Sequence, residues 1–134
     1  MVLIVDDEPD IRAALSVQLE DSGYGTWEAE NGQQAVDMAV KHLPDVILLD
    51  LMMPVMSGLK ALQLIRADPR TSSIPVIVLS ALGAHDVLND AIRAGARDYI
   101  VKPWEGDDVE RSVEWAIKSA GHDPPISPKN LFAG

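Results

Sequence analysis

The chain has 134 residues, 47% of them hydrophobic and 4% aromatic, so one domain with a core of Val, Ile, Leu and Ala is expected. Its 21 acidic and 11 basic side chains leave a formal charge of -10, which argues against non-specific binding of nucleic acid. Cysteine is absent, which excludes disulfides, thiol catalysis and thiolate metal sites.

Val2 to Val5 is a continuous apolar run and reads as the first strand. Ile11, Leu15 and Leu19 follow at helical spacing with Ala14 beside them; Pro9 suits the first turn of that helix and Gly23 its end. Tyr24 to Ala29 reads as a second, less apolar strand. Asn31-Gly32 marks a turn before a stripe of Ala35, Val36, Ala39, Val40 and Leu43. Val46 to Leu49 is the third strand. Ser57 can cap a helix carrying Leu59, Leu62 and Ile65. Pro75 precedes the fourth strand, Val76 to Leu79, and Val87, Ala91 and Ile92 mark a short helix closing near Gly95. Tyr99 to Val101 is the fifth strand. Val109, Val113, Ala116, Ile117 and Ala120 form the face of the last helix.

Strict alternation of strand and helix implies an α/β fold, a parallel sheet with helices on both faces. The first, third and fourth runs are apolar throughout, so both of their faces should be buried. The second mixes in Thr26 and Glu28 and suits an edge. A doubly wound, flavodoxin-like five-stranded sheet of order 2-1-3-4-5 is expected by analogy. From about Gly121 the period stops and Pro124, Pro125 and Pro128 interrupt the chain. The expected organisation is a domain over 1–120 and a Pro-containing tail, or a linker to an output domain, over 121–134. No apolar run nears the roughly 18 residues that span a bilayer, and no signal-peptide layout opens the chain, so a cytoplasmic location is expected.

In open parallel sheets ligands bind beyond the carboxyl ends of the strands. Asp6 and Asp7 follow the first run, Asp50 the third, Ser80 the fourth and Lys102 the fifth. Three carboxylates meeting at one sheet edge repel, and need raised pKa values or a bound cation. Oxygen ligation by few protein groups suits Mg²⁺, which keeps waters and shares phosphate oxygens. A carboxylate can attack phosphorus, a lysine can pair with phosphate oxygens and a serine can donate to them. Asp6 and Asp7 could alternatively do no more than favour the start of the first helix.

Val5-Asp6-Asp7-Glu8, Asp50-Leu51-Met52-Met53-Pro54 with Gly58, Ser80-Ala81 and Lys102-Pro103 each close a strand, in this order. Together they resemble the signature of response-regulator receiver domains of two-component signalling, chemotaxis-regulator-like, over residues 1 to 120. The resemblance implies that Asp50 accepts a phosphoryl group from a histidine kinase or phosphotransfer protein. It implies that Asp7, Asp50 and the backbone carbonyl of Met52 bind Mg²⁺ directly and Asp6 through water. Ser80 and Lys102 would hold the phosphate. Tyr99 matches an aromatic switch residue, and Lys102-Pro103 a peptide bond that is usually cis. A downstream protein or output domain would be regulated through the fourth-helix, fifth-strand and fifth-helix face, where Asp98 and Arg111 suggest a homodimer contact.

Other positions are read more plainly. Tyr99 could simply be core. Trp115 points away from the apolar stripe of its helix, so it should be partly exposed, either by ordinary packing or as a contact on the partner face. Trp104 reads as packing, and His42, His85 and His122 as surface. Met52 and Leu82 are apolar where the family tunes access of water to the acyl phosphate, so a long-lived phosphoryl group is expected. The competing function is a metal-dependent phosphatase with an aspartyl nucleophile. Met52 stands where that class has a second Asp, which counts against it. A nucleotide-binding module fares worse, because Gly23 and Gly25 are not followed by a glycine at Glu28.

Overall fold

The computed structural model describes residues 1–119. The expected tail over 121–134, Ala120 and His122 lie outside the described residues. The elements are β1 (Val2–Val5), α1 (Pro9–Asp21), β2 (Thr26–Ala29), α2 (Gly32–His42), β3 (Val46–Asp50), α3 (Gly58–Ala67), β4 (Val76–Ala81), α4 (His85–Arg93), β5 (Asp98–Lys102) and α5 (Asp108–Lys118). All strands pair in parallel in the order β2-β1-β3-β4-β5. The order is the flavodoxin-like one, with Thr26 and Glu28 on an edge strand. Among the described residues no helix is long and apolar enough to cross a membrane.

Side-chain alternation along the strands divides the core in two. Leu3, Val5, Ile47, Leu49, Val76 and Val78 point to one face, where α2, α3 and α4 cover them with Ala35, Ala39, Leu62, Ile65 and Ala91. Val2, Ile4, Leu48, Ile77, Leu79 and Ile100 point to the other, under Leu15 and Leu19 of α1 and Val109, Val113 and Ala116 of α5. The residues of β1 and Val46 to Leu49 are wholly buried, as a strand covered on both faces must be. Each fully buried Leu or Ile contributes about 1.5–3 kcal/mol through apolar surface removed from water.

The caps are local chemistry. Asn31 Oδ1 accepts from Gln34 N at 2.9 Å and Ser57 Oγ from Lys60 N at 3.2 Å, satisfying donors that α2 and α3 leave open. After α1, Gly23 takes φ 95°, and Gly23 N donates to the Glu20 carbonyl at 3.0 Å.

Several expected core positions are displaced. Tyr24 precedes β2 rather than opening it, because its N–H is held by the Leu19 carbonyl at the end of α1. Leu43 is 55% exposed: it sits at φ 49° as the left-handed residue that ends α2. Ile92 and Ile117 are exposed because each follows a buried alanine, Ala91 and Ala116, and one residue turns a helix by about 100°. Ala14 is exposed for the same reason beside buried Leu15. His42 is not simply surface, since its ring lies 4.2 Å from that of Trp27. Asp98 is no dimer-face charge: it is buried, and Ser112 Oγ of α5 donates to it at 2.5 Å.

Candidate functional site

Register brings the strand ends to one level. Val5 pairs with Leu49, so Asp6 and Asp50 emerge side by side. Asp50 pairs with Leu79, which places Ser80 one step beyond, and Ala81 pairs with Lys102. Alternation turns Asp6, Asp50 and Lys102 toward the α1–α5 side, and Ser80 and Tyr99 toward the other.

Lys102 Nζ donates to Asp6 Oδ2 at 2.7 Å and stands 3.6 Å from Asp50 Oδ2. Asp6 is fully buried, and its Oδ1 accepts from Glu8 N at 3.0 Å. Its backbone carbonyl accepts from Arg12 Nη1 at 2.7 Å, while Arg12 Nε pairs with Glu28 at 3.2 Å. Asp7 and Glu8 are exposed, and carboxylate oxygens of Asp6, Asp7 and Glu8 come within 4.8 Å of one another. Asp50 is buried, with Oδ1 accepting from Met52 N at 3.2 Å. Ser80 is buried, and its Oγ donates to the Ala81 carbonyl at 3.4 Å, a long bond. Tyr99 is half-buried three residues back along β5. The Lys102–Pro103 peptide is cis.

The electrostatics are unbalanced. Burial first, then the charge of Asp6 and more weakly that of Asp7, push the Asp50 carboxyl up to about 6 against the opposing pull of Lys102 and the Met52 N–H. Burial alone would lower the Lys102 ammonium. The bond to Asp6 and the charges of Asp50, Asp6 and Glu8 outweigh it and hold the group above its usual range. One ammonium thus faces three carboxylates, Asp6, Asp50 and Glu8. The donor set is wholly oxygen, which fits a hard divalent cation.

The loop that carries Asp50 into α3 depends on Gly58. A Cβ there would stand 2.1 Å from the Asp50 carbonyl oxygen and 2.7 Å from Leu51 Cα. That close approach lets Gly58 N reach the Leu51 carbonyl at 3.0 Å. Of the expected site residues, the fold joins Asp6, Asp7, Asp50 and Lys102 and sets Ser80 on the neighbouring strand. Trp115 lies on α5, half-buried against the core rather than at this edge, and Trp104 packs against the same cluster. Met52 and Leu82 are 66% and 84% exposed beside the site. The Arg12 contact with the Asp6 carbonyl was not expected; its signal was a lone cation one turn into α1.

The response regulator receiver domain model matches residues 2–114. The chain belongs to that family. Chemotaxis protein CheY of Listeria monocytogenes is 42% identical over 119 residues, covering 87% of this chain and 98% of that protein. The phosphate regulon transcriptional regulatory protein PhoB of Pseudomonas aeruginosa is 40% identical over 95% of this chain, which spans 56% of PhoB's length. Among solved structures, the receiver domain of sensor histidine kinase PA1611 from Pseudomonas aeruginosa PAO1 matches with a TM-score of 0.82 and 30% identity. The match covers 88% of this chain and 97% of that one, and that structure holds a magnesium ion coordinated in its active site cleft. Receiver domains work in phosphorylation-based signalling as phosphoacceptors and bind Mg²⁺ at an acidic site, and this chain carries an acidic cluster of Asp6, Asp7 and Glu8.

Proposed function

We propose that this receiver domain is a switch whose phosphoacceptor is Asp50, charged by a histidine kinase or phosphotransfer protein in the cytoplasm. The observation that carries the reading is the Lys102 ammonium set between Asp6 and Asp50 at 2.7 and 3.6 Å. An Asp50 oxygen forms the new O–P bond as the donor's bond to phosphorus breaks, and the leaving group keeps the electron pair. Lys102 and Ser80 then pair with the phosphoryl oxygens, positioning that such transfer chiefly requires. Asp7, Asp50 and the Met52 carbonyl would hold Mg²⁺ directly, with Asp6 acting through water. When bound, Mg²⁺ supplies the positive charge that offsets the crowded carboxylates and shares phosphate oxygens.

Phosphorylation adds about -1.5 to -2 charge and fresh acceptors. Drawing Ser80 toward them opens space that Tyr99, on the same side of the sheet, can enter. The α4–β5–α5 face changes with it and regulates a partner, a second copy or an output domain beyond residue 120. Trp115 would contribute to such a contact. Trp115→Ala leaving partner binding and self-association unchanged would remove that role. The phosphatase alternative gains no support, because Met52 offers no proton where an acid would be needed.

The deciding experiment incubates the chain with Mg²⁺ and acetyl phosphate and weighs the intact protein. One phosphoryl adduct is expected, lost in Asp50→Asn. Multiple-turnover release of phosphate from unrelated esters would instead favour a hydrolase. The exposed Met52 and Leu82 order little attacking water, so the adduct should outlive that of the Met52→Glu, Leu82→Lys double variant. Equal decay after donor removal would contradict this.

A further inference from the structure

A cavity of about 390 Å³ opens between α1 and the loop after β5, lined by Ile11, Lys102, Pro103 and Trp104. Ile11 and Trp104 both rest against the cluster under α1 and α5, and the cavity leaves part of the contact between α1 and this loop unfilled. Further along α1, one side chain ties this loop down by hydrogen bonds. Gln18 of α1 accepts from Trp104 Nε1 through its Oε1 at 3.1 Å. Its Nε2 donates to the Gly106 carbonyl at 3.3 Å and to the Glu110 carboxylate in the first turn of α5. Because an indole only donates and a carboxylate only accepts, the network fixes which way the amide faces. Among the described residues, the hydrogen bonds that tie segment 103–107 to distant parts of the chain both run to Gln18. Lys102 is the last rung of β5, paired with Ala81, and Trp104 lies two residues beyond it.

We propose that Gln18 is a positioning residue: its amide latches the loop after β5 to α1 and α5 and so sets where the Lys102 ammonium stands against Asp50. The latch rests on the reading of Asp50 as phosphoacceptor. It acts on geometry rather than on charge, since Gln18 is neutral and hydrogen-bonds none of Asp6, Asp7 or Asp50. The loop cannot settle into the gap without carrying the backbone of Lys102 along, and a small displacement of a charge-pairing group slows a transfer far more than it weakens a fold.

The test compares Gln18→Leu, which removes donor and acceptor at similar volume, with Gln18→Asn, which keeps the amide one methylene short. The readouts are phosphoryl uptake from acetyl phosphate at saturating Mg²⁺, Mg²⁺ affinity, and the NMR signal of the Trp104 indole N–H, assigned through Trp104→Phe. In Gln18→Leu the indole signal should move and uptake should slow by about three- to thirtyfold, with Mg²⁺ affinity held within about twofold. Trp104→Phe should slow uptake likewise, and the double variant should add little to either single change. Glu110→Gln, whose amide oxygen still accepts from Gln18, should keep the wild-type rate. Wild-type uptake in Gln18→Leu with a displaced indole signal overturns the latch. So does a loss of Mg²⁺ affinity that matches the loss of rate, which would mark general loosening of the site. If Gln18→Leu does not fold, Gln18→Asn is judged by the same outcomes. No adduct on the wild-type chain overturns the acceptor reading and the latch with it, whereas an adduct with an unaltered variant rate overturns the latch alone.

Discussion

Asp50 is held in a form that the fold resists ionising. Its carboxyl is raised from 3.8 to about 6, first by burial and then by Asp6. A carboxyl with a raised folded value lends its full stability below the unfolded value and loses it as pH rises through the folded one. Above pH 6 the metal-free domain therefore carries an ionised Asp50 at a cost of about 3 kcal/mol. Asp50→Asn should stabilise the metal-free protein at pH 7.5 by roughly 2–3 kcal/mol in urea unfolding, the gain shrinking as pH falls from 6 toward 4. Lys102 keeps Asp6 at 2.7 Å in that variant, so no new unpaired charge offsets the gain. Gly58 makes the opposite case. The atoms a Cβ would meet are backbone, at 2.1 and 2.7 Å, so Gly58→Ala must move the loop that bears Asp50. A loss of about 1–3 kcal/mol is expected in the same assay, with slower phosphoryl uptake.

At the scale of elements, α5 is joined to β5 by more than apolar packing. Ser112 lies on the buried stripe, three residues after Val109 and four before Ala116, and donates to Asp98 at 2.5 Å. Ser112→Ala takes one donor from a buried carboxylate and should cost about 1–3 kcal/mol by urea unfolding. The effect should be larger than for Ser119→Ala, whose hydroxyl donates to the Trp115 carbonyl at the helix end. The strands were legible in the sequence because continuous runs such as Val46 to Leu49 leave little choice for a doubly covered strand. Helix faces were legible only in part. Leu43 ends a helix in a conformation that glycine or asparagine usually takes, so composition gives no hint of it. Ile92 and Ile117 were placed inward for being apolar, whereas the small Ala91 and Ala116 beside them let α4 and α5 approach the sheet. Asp98 was read as surface because charge suggests exposure, and its partner is fourteen residues away.

For the whole molecule, a charge of -10 and a crowded acidic edge should make stability rise with bound cations. Mg²⁺ binding to the folded chain alone should stabilise it by about 2.7 kcal/mol at a hundred times its dissociation constant, and a chelator should reverse the gain. Thermal unfolding across a Mg²⁺ series checks this, and Asp7→Asn should flatten the response. The meeting of the site residues was legible because topology makes strand-end residues neighbours, and Asp6, Asp50, Ser80 and Lys102 each follow or close a strand. Their supports were less so. Gln18 and Arg12 act through contacts that only the twisted, helix-covered sheet creates, and no periodicity announces them; Gly58 was legible as part of a motif, but not its close approach to the Asp50 carbonyl.

The Lys102–Asp6 pair joins positions 96 residues apart, across the first and last strands. A nascent chain leaving the ribosome thus carries Asp6 and Asp50 well before the residue that faces them has been synthesised. No N-terminal fragment ending before β5 holds both sides of this ion pair, so the acidic edge meets its ammonium only once the last strand has joined the sheet.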